Sequence, residues 1–208
     1  MNEISTILWD VGGVLLTNGW DHCERDALLQ KFGLEKQAFE QRHAKLNDPW
    51  EKGLIPLDEY LQQVVFYQPR SFTPQEFLEA MKAESRILPD SALRILAELS
   101  ASEEFKMAAV NNESRELNDY RIAHFDLWDY IDCFLSSCYV GLRKPDPKIY
   151  RLALDVLQRQ PEEVVFIDDR EENINAAAAI GIHGIRYTGS KALAMGLQQL
   201  GIEINAAG

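Results

Sequence analysis

Apolar positions along the chain follow two rhythms. Short runs rich in β-branched and aromatic residues recur as ISTILW (4–9), FKMAAV (105–110), DCFLSS (132–137), EEVVFI (162–167) and HGIRY (183–187), each of strand length. Between the later runs the apolar residues repeat at helical spacing. SALRILAEL (91–99) carries Leu93, Leu96 and Leu99 on one face, and DPKIYRLALDVLQ (146–158) opens with Pro147 at a first helical turn. NINAAAAIG (173–181) closes on Gly181, a C′ glycine. Strand and helix in alternation predict an α/β fold, a Rossmann-like parallel sheet with helices on both faces.

Residues 18–86 break that alternation and read as helical almost throughout. A helix from Asp21 to Phe32 is closed by Gly33, a second spans Leu34 to Leu46, and a third spans Leu57 to Tyr67. SFTPQEF (71–77) starts a fourth, with Thr73 as N-cap, Pro74 in the first turn and Glu76 completing a capping box. The expected organisation is therefore a core made of residues 1–17 and 87–208, with a small all-helical domain, residues 18–86, inserted after the first strand.

The 208 residues suit one α/β domain with a modest insertion. A formal net charge of -12 argues against a nucleic-acid backbone or an anionic membrane surface as partner. An anionic small ligand stays compatible, because a lysine or a bound cation reverses the field inside a cleft. Cys23, Cys133 and Cys138 form no Cys-x-x-Cys pair and read as reduced thiols. The N-terminus lacks a basic region, and Asp10 interrupts its apolar stretch, so a cytoplasmic location is expected.

The position of the polar residues carries the chemical information. Asp10 follows the first strand, Asn111 and Asn112 end FKMAAV, Asp168 and Asp169 end EEVVFI, and Lys144 lies in the loop after DCFLSS. Ligands of open parallel sheets bind beyond the carboxyl ends of the strands, and four strands deliver polar residues there. Singly, each has a structural role available. Asp169 with Glu172, or Asn112, caps a helix; Lys144 is a solvated loop lysine; Gly12 and Gly13 relax a turn. Together they suit phosphoryl transfer. Three carboxylates around one point call for a hard divalent cation, magnesium, and Asp10 is both a ligand and a nucleophile. Lys144 would place its charge on phosphoryl oxygens, and Asn111 would donate an amide hydrogen bond to the same group.

These residues, in this order, resemble the haloacid dehalogenase superfamily, with ILWDVGGVLL, AAVNN, LRKPDPKIY and VFIDDREEN as its four motifs. Within it the chain looks closest to the branch of epoxide-hydrolase N-terminal-domain-like and sugar-phosphate phosphatases. The resemblance makes the helical insertion a cap. It implies magnesium held by Asp10, Asp168, Asp169 and the Gly12 carbonyl, and an aspartyl-phosphate on Asp10. Substrate contacts fall to Gly12, Asn111, Asn112, Lys144 and, at the cap, Trp20. Two positions depart from the family pattern. Gly12 stands where its phosphatases carry the acid/base aspartate, and Asn111 replaces a serine or threonine. Glu113 is the first candidate for the missing proton donor, followed by Asp21, His22 and Glu24. The expected function is a magnesium-dependent phosphatase for a small phosphorylated metabolite, a sugar phosphate before others. The alternatives are a catalytically impaired binding protein and a 2-haloacid dehalogenase.

Overall fold

The structure, a computed structural model, describes residues 3–204; the ends of the expected core segments, 1–2 and 205–208, lie outside the described residues. Five parallel strands form one sheet: β1 (Thr6–Trp9), β2 (Lys106–Ala109), β3 (Cys133–Phe134), β4 (Val164–Asp168) and β5 (His183–Arg186), in the order β3-β2-β1-β4-β5. The central strands are buried on both faces, which is why they read as continuous apolar runs. Leu8 is in register with Ala108 and Phe166, and this row faces Ile149 and Tyr150 of a helix over Pro147–Leu157. The alternate row, Ile7, Trp9, Met107, Val165 and Ile167, packs against helices over Leu93–Ser102 and Ser190–Gln199. Period-two alternation thus builds a helix layer on each side of the sheet.

The run DCFLSS supplies less strand than its composition suggests. Ladder pairing stops at Phe134, apart from a hydrogen bond of 2.8 Å from Leu135 N–H to the Ala109 carbonyl, and a short helix begins at Ser137. The Ser136 and Ser137 hydroxyls donate away from the sheet, to Asn111 Oδ1 at 2.8 Å and the Glu51 carbonyl at 2.7 Å. Two helices fall outside the segments predicted from the sequence. One, Arg115–His124, buries Asn118 and Arg121 beside Leu117 and Ile122, so half its inner face is polar. The other is the C-terminal helix, Ser190–Gln199.

Four helices lie between β1 and Leu93: α1 (His22–Lys31), α2 (Lys36–Glu51), α3 (Leu57–Val64) and α4 (Pro74–Ala83). The Thr73 capping box forms as expected. Helix α2 runs past Leu46 to Glu51 and carries Pro49 in its last turn, which brings Asn47 and Glu51 over the sheet edge. The four helices share an aromatic core in which Trp50 stacks on Tyr60, with centroids 3.9 Å apart, and Trp20 meets Phe39 and Phe77 edge-on. The two chain crossings between this layer and the sheet run side by side: Thr17 N–H donates to the Arg86 carbonyl at 2.8 Å, and Leu16 bridges Ile87.

One hydroxyl organises the polar part of that aromatic core. Tyr60 accepts from Trp20 Nε1 at 2.9 Å and lies 2.8 Å from His43 Nδ1. Burial, with Arg25 nearby, pushes the His43 imidazole down to about 4, so its Nδ1 is a neutral acceptor for the Tyr60 proton near pH 7. Tyr60→Phe removes both partners at once and leaves a buried donor and acceptor unpaired. It is expected to cost about 1–3 kcal/mol of unfolding free energy, read as a lower urea midpoint at unchanged slope.

Candidate active site

At the carboxyl end of β1 the backbone turns away and leaves Asp10 at the sheet edge, buried but lining a cleft. Its Oδ1 accepts from Val11 N–H at 2.8 Å and lies 2.8 Å from Lys144 Nζ. The same ammonium donates to Asp168 Oδ2 at 2.7 Å. Asp168, at the end of β4, is fully buried and takes further hydrogen bonds from Asn173 Nδ2 at 3.0 Å and Arg170 N–H at 2.8 Å. Asp169 completes the group, and each of the three aspartates offers an oxygen within 4.8 Å of the others.

One ammonium therefore faces three carboxylates. Burial pushes Asp10 up to about 7; Lys144 opposes the rise and Asp168 adds to it. Asp169 is likewise raised, by burial and then by Asp168. Burial disfavours charge on Lys144, yet the two flanking carboxylates outweigh it and hold the amine above its ordinary value. Asp169 Oδ1 is buried and has no hydrogen-bond partner among the described residues. An excess of negative charge, an all-oxygen donor set and an orphaned carboxylate oxygen fit a hard divalent cation.

The flanking amides have distinct tasks. Ser136 Oγ donates to Asn111 Oδ1, which fixes the amide plane, and Asn111 Nδ2 donates to Asn118 Oδ1 at 3.0 Å. Its second N–H remains for the cleft, in keeping with a phosphoryl contact. Asn112, expected to contact substrate, lines the cleft and also holds a loop. Its Nδ2 donates to the Lys144 carbonyl at 2.9 Å and its Oδ1 accepts from Lys144 N–H at 2.9 Å, so both ends of the amide hold the loop that carries the ammonium. Trp20 carries the same expectation. It borders the cleft, but the residue is only 5% exposed and its indole N–H goes to Tyr60, so packing is its visible role.

A cleft of about 300 Å³ lies over Asp10 and Lys144. The helical layer supplies Asp21, Asn47 and Glu51 to its lining, of which the sequence pattern singled out only Asp21, and the loop after β1 adds Asn18. Ion pairs tie the two sides together. Arg143 meets Glu51 at 2.7 Å, and Arg170 donates to Asp21 at 2.8 Å. The proton-donor candidates scatter. His22 has a side chain 80% exposed and does not line the cleft, nor does Glu24. Glu113 does line it, but Oε2 accepts from Arg121 at 2.8 Å and Oε1 from Ser114 N–H at 2.9 Å. Arg121 in turn donates to the Thr17 carbonyl, so Glu113 braces the crossing between layers.

The model of the haloacid dehalogenase-like hydrolase family matches residues 4–181, a span that contains every aspartate above together with Lys144. The chain belongs to this family. Among its relatives, flavin mononucleotide hydrolase 1 of Arabidopsis thaliana is 30% identical over 197 residues, 92% of this chain and 79% of that protein. A sesquiterpene phosphatase of Aspergillus oryzae is 28% identical, over 93% of this chain and 94% of that protein. The crystal structure of a family enzyme from Bacteroides thetaiotaomicron, a magnesium complex, superposes with a TM-score of 0.77 at 23% identity, covering 90% of this chain and 95% of that one. That likeness shows the haloacid dehalogenase-like fold.

In this family member Gly13 has a structural reason that the sequence did not reveal. Its φ is +73°, and a Cβ there would sit 2.4 Å from Asp169 Oδ2, so bare backbone is what lets Asp169 reach the cluster. Burial also governs Glu113, which is pushed up to about 7 against the pull of Arg121. The folded protein then holds a proton that the unfolded chain releases near its ordinary value of 4.5. This contribution to stability is full below that value and is lost as pH rises through about 7. The urea midpoint is expected to fall between about pH 5 and about pH 8, and Glu113→Gln to flatten that part of the fall.

Proposed function

We propose that this protein is a magnesium-dependent phosphatase that passes through an aspartyl-phosphate on Asp10. The observation that carries the reading is the single ammonium of Lys144 held between Asp10 and Asp168 while Asp169 keeps an unpartnered oxygen beside them. Relatives named as a flavin mononucleotide hydrolase and a sesquiterpene phosphatase, and a structural neighbour described as a magnesium complex, support the same chemistry. Residues 18–86 act as the cap and residues 1–17 with 87–208 as the catalytic core in this reading.

Asp10 Oδ1 is held by Val11 and Lys144, which leaves Oδ2 as the attacking oxygen. Lys144 steadies the charge on the transferred group, and the free amide N–H of Asn111 adds a hydrogen bond. Asp10, Asp168, Asp169 and the Gly12 carbonyl would hold magnesium, which supplies positive charge for the phosphoryl oxygens. Water then releases phosphate from Asp10. The cleft wall is polar, with Asn47, Asp21 and Arg143 among its residues, and this favours a hydroxyl-rich leaving group such as a sugar. Carbon–halogen cleavage suits the site poorly, because a 2-haloacid would bring its own carboxylate against three others.

Hydrolysis of p-nitrophenyl phosphate is expected to require magnesium, to stop with a chelator and to vanish in Asp10→Asn. Retained turnover in that variant would remove Asp10 from the nucleophile's place. A binding protein without phosphotransfer would form no beryllium fluoride adduct on Asp10 in the presence of magnesium.

Gly12 deprives water of the adjacent carboxylate base, a group worth roughly 10²–10⁴-fold in rate. Dephosphorylation of Asp10 is therefore expected to limit turnover. Stopped-flow assays should show a burst of nitrophenol, whereas linear release from the first turnover would contradict slow dephosphorylation.

A further inference from the structure

Most polar side chains along the cleft make at least one hydrogen bond or ion pair within the protein. Asn47 donates to Glu51, Asn111 to Asn118, Asn112 to Lys144 and Asn173 to Asp168. The cationic residues of the wall are engaged as well: Arg25 with Glu40, Arg121 with Glu113, Arg143 with Glu51 and Arg170 with Asp21. Asn18 also lines the cleft, is exposed, and its carboxamide has no hydrogen-bond partner among the described residues.

Its place beside the acid cluster is set by the two glycines after Asp10. Asn18 Oδ1 lies 3.3 Å from where a Cβ on Gly12 would stand and 2.9 Å from where one on Gly13 would stand. Asp169 Oδ2 lies 2.4 Å from that same Gly13 position. The bare backbone thus lets an amide from the crossing loop and a carboxylate from the end of β4 converge over the residues that follow Asp10. A side chain at position 12 would press on Asn18, so the absence of one there and the presence of the amide belong together.

We infer that Asn18 is the catalytic residue that meets the leaving-group oxygen, its carboxamide N–H donating to that oxygen as the bond to phosphorus breaks. This rests on the phosphatase reading above. In the first step Asp10 Oδ2 bonds to phosphorus and the bond from phosphorus to the ester oxygen breaks, the electron pair leaving with that oxygen. Asn18 stabilises the developing alkoxide through its hydrogen bond and transfers no proton, because an amide is not an acid in this range. Solvent water protonates the alcohol as it leaves. In the second step a water oxygen bonds to phosphorus, the bond to Asp10 breaks, the carboxylate is regenerated, and the water's proton passes to phosphate or solvent. A neutral donor of this kind matters most where the leaving group is basic.

The test compares an alkyl ester, glycerol phosphate, with p-nitrophenyl phosphate, whose phenolate leaves without help. Asn18→Ala is expected to lower kcat/KM for glycerol phosphate by at least about tenfold, with little change for the nitrophenyl ester. Asn18→Asp, which brings a titratable carboxyl to the same place, is expected to raise the glycerol phosphate rate above that of Asn18→Ala. Equal losses on both esters, or none on either, would overturn the role of Asn18 while leaving the phosphatase reading in place. Absence of hydrolysis of either ester by the unaltered protein with magnesium would overturn both. Because Asn18 is exposed and its side chain has no hydrogen-bond partner among the described residues, an unchanged melting temperature in both variants accompanies the expected result.

Discussion

The ammonium of Lys144 lies between two carboxylates in a site almost closed to water, 2.8 Å from Asp10 and 2.7 Å from Asp168. Like charges gathered at this depth repel strongly, and only a cation in the middle makes the arrangement tolerable. Much of the surrounding structure keeps that cation in place. Asn112 grips the Lys144 backbone from both ends of its amide, and Asn173 and Arg170 satisfy the rest of Asp168. With three carboxylates against one ammonium the site remains two positive charges short, which suits a divalent ion.

The parallel sheet explains how residues so far apart in sequence meet. β1, β2 and β4 are adjacent and start in register, so Asp10, Asn111 and Asp168 arrive at one edge. The sheet edge carries the aspartates, while the helical layer lines the same cleft through Asp21, Asn47 and Glu51. In the proposed phosphatase reading, chemistry and selectivity fall to different parts of the chain. The first is built on rigid strands; the second rests on helices joined to the sheet at two crossings.

Legibility in the sequence followed the same division. β1 and β4 stood out because burial on both faces demands unbroken apolar runs, and their terminal aspartates were visible for that reason. The Arg115–His124 helix was hidden because buried Asn118 and Arg121 disguise its inner face. Asn112 and Trp20 stood out by their places in the sequence, but their hydrogen bonds inside the protein did not, since a free polar group and one already hydrogen-bonded look identical in one dimension. Glu113 drew notice as a carboxylate near the site, and its engagement with Arg121 became visible only in three dimensions. Asn18 was illegible for the converse reason: its interest comes from lying over Gly12, a proximity created by the fold of one loop.

The paired crossings at Thr17 and Arg86 have a consequence for how such a chain is assembled and altered. Outgoing and returning segments are hydrogen-bonded to each other, so the chain passes between the sheet and the helical layer at a single seam. A segment that leaves and comes back through one seam is a cassette: it can be exchanged for another of different length or helix count without any strand of the sheet changing its neighbour. New pockets can in this way be tried against an unchanged set of reacting groups, and the seam marks the graft point for an engineered exchange.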